Sequence, residues 1–218
     1  MHDAILAAKS TLLLGLVLGM RHATDPDHVL AISTIVSRDP RVRRAVRTGM
    51  FWGLGHTLTV IGVGAAMLMG RLTVPPGAVL AMDLLVALML VVLGAVGLRA
   101  RPVTHAAEHA KLPAGARLLA SPLRAFAVGI VHGLAGSAAV TLLALTTIGD
   151  RGRALAYLAL FGVGTVAGMM LITLAIAVPL TFAAERMSQR MPLWIARASG
   201  ALSIAAGLTF AVRSLLAP

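Results

Sequence analysis

The chain has 218 residues, of which 58% are apolar and only 12% charged, and it contains no cysteine. Soluble globular chains carry roughly 45–50% apolar and about 25% charged residues, so the composition argues against a water-soluble domain. A net charge of +11 would suggest nucleic acid in a soluble protein, but here the basic residues fall in short loops between apolar runs. The lack of thiols removes disulfides and thiolate ligands together.

In chain order, no cleavable leader is expected. Lys9 is the only basic residue before the first apolar run, and no small-residue cleavage site ends that run. A first span is expected over residues 11–37, with the polar stretch Arg21–His28 inside it. A second covers 48–70, after the basic loop Arg38-Asp39-Pro40-Arg41, and a third covers 78–98, after the Pro75-Pro76-Gly77 turn. A fourth is expected over 123–148, a fifth over 154–183 and a sixth over 193–216. Each run approaches or exceeds the roughly 20 residues that cross a bilayer. The expected fold is all-α, a single polytopic membrane domain over 1–218 with about six transmembrane helices.

Lysine and arginine gather on the cytoplasmic side of membrane proteins. The first loop holds Arg38, Arg41, Arg43, Arg44 and Arg47, the third holds Arg99, Arg101, Lys111 and Arg117, and the fifth holds Arg186 and Arg190. The opposite side has Lys9, Arg71, Arg151, Arg153 and Arg213. Loops one, three and five are therefore expected on the cytoplasmic side of the cell membrane and both termini outside.

An offset of about 110 residues aligns Gly19-Met20-Arg21-His22 with Gly129-Ile130-Val131-His132, and one residue less aligns Gly53-Leu54-Gly55 with Gly162-Val163-Gly164. Halves 1–110 and 111–218 would then hold three spans each, a 3+3 inverted repeat. Such repeats place substrate sites near the midplane, on interrupted helices. Chance similarity among Gly- and Leu-rich helices is the competing account.

The run Arg21-His22-Ala23-Thr24-Asp25-Pro26-Asp27-His28 lies near the centre of the first apolar segment. Ionisable residues there cost at least ~2.5–3.5 kcal/mol each on insertion scales and mark function. Pro26 has no N–H, so the carbonyl of His22 loses its helical partner and the helix should bend or open. Opening there would let His22, Asp25, Asp27 and His28 face one cavity. Imidazole and carboxylate together suit Ni(II), Co(II) or Zn(II). Asp25 and Asp27 would offset the charge of a dication, and Arg21 could pair with Asp25 one turn away. A polar network that only pins helices together is the bland alternative. His56 and His132, on the second and fourth spans, lie about 12–14 Å from the cytoplasmic end at ~1.5 Å per residue, the same depth as His28. A lone membrane histidine often just bonds neighbouring helices, but three at matched depth favour metal.

Arg21–His28 followed by Phe51–Thr57 resembles the two signatures of the nickel/cobalt transporter family. Its His-x4-Asp-His pattern is carried by His22, Asp27 and His28, with Asp25 also matching, and His56 matches the histidine of the second signature. Pro26 replaces the family's usual alanine, and the later Asp-Thr-Ala-Thr-Glu signature is missing. In its place His132-Gly133-Leu134-Ala135-Gly136-Ser137 looks like the shorter urease-accessory-type permeases of the same superfamily. The resemblance implies a divalent-cation permease with no prosthetic group, whose ligand is the transported Ni(II) or Co(II).

Weaker signals remain. Met1 and His2 could chelate Ni(II) through amine, amide and imidazole, although an ordinary initiator region is the simpler reading. His105 and His109, with Glu108, form a metal-ligand spacing in the third loop, where solvated loop residues are the commoner case. Asp83 near the outer end of the third span could simply face the interface. Two other function classes stay open, a membrane accessory protein for nickel-metalloenzyme maturation and an intramembrane metal-dependent hydrolase. The expected partners are the metal ion and the lipid bilayer, with no nucleic acid, and beyond them a homo-oligomer or maturation proteins.

Overall fold

The computed structural model describes residues 2–37, 41–70, 74–99, 122–186 and 190–216, with the side chains of some helical residues, among them 2–9 and 135–147, outside the description. The described residues form seven helices and no strand: α1 (His2–His22), α2 (Pro26–Val36), α3 (Val42–Gly70), α4 (Pro76–Leu98), α5 (Pro122–Thr147), α6 (Arg151–Arg186) and α7 (Arg190–Leu216). Proline sets three of the starts. Pro26, Pro76 and Pro122 each stand at the first helical position, where the missing N–H has no partner to lose. Several helices run past the apolar limits predicted for them. α3, for example, begins at Val42 inside the basic loop, since arginine and alanine are good helix formers.

The first predicted span is divided. α1 ends at His22 and α2 starts at Pro26, with Asp25 in an extended conformation between them (φ −59°, ψ 142°). The carbonyl of His22, with no N–H at Pro26 to receive, instead accepts the N–H of Asp25 at 3.0 Å, and the carbonyl of Arg21 accepts from Thr24 N at 2.8 Å and Thr24 Oγ1 at 2.6 Å. Proline thus opens the helix as the sequence predicts.

Among the described residues, four helical stretches are long and apolar enough to cross a membrane: Val42–Gly70, Pro76–Leu98, Arg151–Ala183 and Leu193–Leu216. Shorter apolar stretches among the described residues lie at Leu12–His22, Pro26–Val36 and Pro122–Leu134. The exterior is apolar, with Leu58, Val163, Leu171, Trp194 and Leu202 each more than half exposed. Meanwhile His28, His56 and His132 are buried. That inversion, greasy outside and polar within, is what lipid as solvent selects. The protein is a polytopic helical membrane protein.

Helices pack in backbone contact. α1 lies along α6, α3 runs between α5 and α6, and α4 pairs with α7. A Cβ on Gly19 would fall on the carbonyl of Phe161, and one on Gly129 on the carbonyl of Trp52. Likewise Gly164 meets the carbonyl of Leu16, and Gly55 that of Phe126. Small residues at these crossings give dispersion contact where lipid tails supply no hydrophobic drive. Side-chain hydroxyls add bonds between helices: Thr57 Oγ1 donates to Gly162 O at 3.0 Å, Thr59 Oγ1 to Ile130 O at 3.2 Å, and Ser203 Oγ to Leu90 O at 2.9 Å. Trp52, Ile32, Leu90, Leu93 and Met169 fill the apolar core beside the histidines.

Candidate metal centre

Four histidines from four helices meet at the break. His22 closes α1, His28 lies in the first turn of α2, His56 is in the middle of α3 and His132 is in the first half of α5. The imidazole centroid of His28 is 4.8 Å from that of His22, 5.4 Å from His56 and 4.0 Å from His132. His22 Nε2 and His56 Nε2 are 3.2 Å apart.

Two carboxylates set the ring orientations. Asp25 Oδ2 lies 2.7 Å from His22 Nδ1. Asp27 Oδ1 accepts from His28 N at 2.9 Å and lies 3.1 Å from His28 Nδ1, while Asp27 Oδ2 lies 2.8 Å from His132 Nε2. An ionised carboxylate only accepts, so these contacts assign the ring hydrogens to His22 Nδ1, His28 Nδ1 and His132 Nε2. The second nitrogens then carry lone pairs. Among the described residues His28 Nε2, His56 Nδ1 and His132 Nδ1 are buried with no hydrogen-bond partner. An imidazole held by a carboxylate on one nitrogen and bare on the other is the usual state of a histidine prepared for a metal.

Two sets of three donors have all their ligand atoms within 4.8 Å of one another: His22, His28 and His56, and Asp27, His28 and His132. Ligands at about 2.1 Å from one ion stand roughly 3.0–3.4 Å apart in octahedral or tetrahedral order. The His22 Nε2–His56 Nε2 separation of 3.2 Å falls in that interval, while the Asp27–His28 and Asp27–His132 contacts, 3.1 and 2.8 Å, are the hydrogen bonds an ion there would replace.

The sequence singled out all six of these side chains, and the structure brings five of them into the donor sets. Asp25 stands outside both sets and instead backs His22. Arg21 is exposed, and the expected Arg21–Asp25 pair is replaced by the shorter reach from Asp25 to His22. Met1, His105 and His109 lie outside the described residues, as does the side chain of His2. Asp83 faces α7 and accepts from Ser214 Oγ at 3.1 Å, far along the chain from the cluster.

Two aromatic residues were not predicted as part of the site. Trp52 is fully buried, with its ring 6.3 Å from that of His28 and 5.7 Å from that of His132. Phe161 stacks at 5.4 Å on His22. Trp52 was findable, since it precedes His56 by four residues and so shares its helix face. Phe161 comes from α6, and nothing local in the sequence joins it to the motif.

Residues 8–100 match the family described as NicO, high-affinity nickel-transport protein. Over 183 residues the chain is 36% identical to the urease accessory protein UreH of Bacillus sp. (strain TB-90), an alignment that covers 81% of this chain and 80% of that one. No solved structure matches the chain.

Proposed function

Since the chain belongs to the NicO nickel-transport family, in the branch of urease accessory protein UreH, we propose that it is a permease carrying Ni(II), or Co(II), through the histidine cluster. The observation that carries this reading is the convergence of His22, His28, His56 and His132 from four helices, with Asp25 and Asp27 holding three of the rings by one nitrogen. Neutral imidazoles would ligate the ion, and the two carboxylates would offset its charge in a low-dielectric surround. The metal is cargo, and no prosthetic group enters the proposal.

The transport unit in this reading is all of 1–218, with the broken α1–α2 pair acting as one span and five further spans, both termini outside the cell membrane. Support for a 3+3 inverted repeat comes from paired contacts. Gly19 against Phe161 corresponds to Gly129 against Trp52, and Gly164 against Leu16 to Gly55 against Phe126, each at the offsets of 109 or 110 seen in the sequence. Exchange of the halves maps these helix pairs onto each other, and alternating access would follow from one half rocking against the other.

Ni(II) uptake into sealed vesicles by the purified protein tests the proposal. Uptake lost in His28→Ala, at unchanged membrane abundance, is the expected result. The name of the relative favours a second reading, delivery of nickel to urease maturation without transport. In that case the protein would bind Ni(II) and vesicles would accumulate none.

A further inference from the structure

The two donor sets share His28 and nothing else: His22 and His56 stand on one side, Asp27 and His132 on the other. Among the described residues no set within 4.8 Å contains both His56 and His132, whose ring centroids are 6.2 Å apart. Two ligands of one ion at about 2.1 Å can be at most about 4.2 Å apart, so His56 and His132, which share no set, do not hold the same ion in this geometry. The two nitrogens of His28 are also divided. Nδ1 lies 3.1 Å from Asp27 Oδ1, while Nε2 has no hydrogen-bond partner.

We propose that the cluster is two adjacent three-ligand positions for a single dication, with His28 passing the ion from one to the other. This rests on the transport reading and adds the path within the site. In one position the ion takes His22, His56 and Nε2 of His28. In the other it takes Asp27, His132 and Nδ1 of His28. The proton count does not change on transfer: with the ion on Nε2 of His28 the ring hydrogens are on His28 Nδ1 and His132 Nε2, both toward Asp27, and with the ion in the second position they are on His28 Nε2 and His132 Nδ1. Two dications this close in a poorly polarisable interior repel strongly, so one ion occupies the pair at a time. The donor chemistry differs between them. Three imidazoles are neutral, whereas two imidazoles with a carboxylate carry one negative charge, so the second position holds a dication with less residual charge.

The arithmetic of binding separates this arrangement from one five-ligand centre. Two positions of similar affinity contribute additively to the association constant, so removing one weakens binding only about twofold while removing both abolishes it. Transport needs both. The experiment is Ni(II) titration of the purified full chain in lipid nanodiscs, paired with Ni(II) uptake by the same proteins in sealed vesicles. His56→Asn and His132→Asn should each keep a one-ion stoichiometry with Kd raised no more than about threefold, yet lose uptake at least about tenfold. The His56→Asn/His132→Asn double variant and His28→Asn should each lose about 100-fold or more in affinity. Singles that each lose about 100-fold, or that transport normally, overturn the relay. Co(II) absorption of the unaltered protein gives a readout that does not depend on variants folding. A superposition of two ligand fields whose ratio shifts with temperature is expected, and one temperature-invariant spectrum overturns the proposal. A wild-type protein that neither binds nor moves Ni(II) would instead remove the transport reading itself.

Discussion

Replacing Asp27 by Asn tests how the carboxylates divide their work. Asp27 meets three donors, the His28 backbone N–H at 2.9 Å, His28 Nδ1 at 3.1 Å and His132 Nε2 at 2.8 Å, whereas Asp25 meets one ring, at 2.7 Å. An Asn amide oxygen could still receive both His28 donors, but its NH2 would face His132 Nε2 and force that ring into the other tautomer. One carboxylate charge facing the dication is also lost. Removing a carboxylate that only orients a ligand costs about 10–100-fold in metal affinity or activity, which is about 1.4–2.7 kcal/mol. Asp25→Asn should lower Ni(II) uptake within that range. Asp27→Asn should exceed it, at about 100-fold or more, because it orients two rings and belongs to a donor set itself. Ni(II) uptake by both variants in sealed vesicles measures the difference. Equal losses, or a larger loss for Asp25→Asn, would refute the assignment of Asp27 to the ion and Asp25 to the ring behind it.

Gly19→Leu and Gly129→Leu should each cut thermal stability and membrane abundance severely, because the new side chains meet the carbonyls of Phe161 and Trp52, while Gly62→Ala, with nothing within 4 Å, should be neutral in the same melting assay. Proton and metal compete for the same imidazole lone pairs, so Ni(II) affinity should fall on acidification, and a pH series of titrations checks the sign. Reporter fusions after Arg44, Lys111 and Arg190 should read cytoplasmic and those near Arg71 and Arg151 external. A cytoplasmic reading at the Pro75 turn would end the six-span topology.

Much of the architecture was legible because lipid imposes long apolar runs. The expected limits of 48–70, 78–98 and 193–216 sit inside α3, α4 and α7. The break at Pro26 was legible too, since proline's missing N–H acts locally. Less legible was how far the chain would open: the break takes in residues 23–25, between the end of α1 at His22 and the start of α2 at Pro26. At the site, residue types and matched depth grouped His28, His56 and His132, and the opening expected at Pro26 added His22. Rotamer direction decided the rest. Asp25 and Asp27 are equivalent in sequence, but the extended backbone at Asp25 turns its carboxylate back to His22, while Asp27, in the first turn of α2, reaches His28 and His132. Arg21 was assigned by helical spacing that the break abolishes.

The four histidines stand on α1, α2, α3 and α5, joined through the protein only by helix packing and the carboxylates between them. A dication held by them therefore acts as a cross-link, tying elements far apart in sequence. Its binding energy is added to the stability of the assembled bundle, about 2.7 kcal/mol when the free ion stands at 100 times its Kd. On the transport reading, the melting temperature of this protein thus becomes a gauge of how much of the proposed cargo surrounds it.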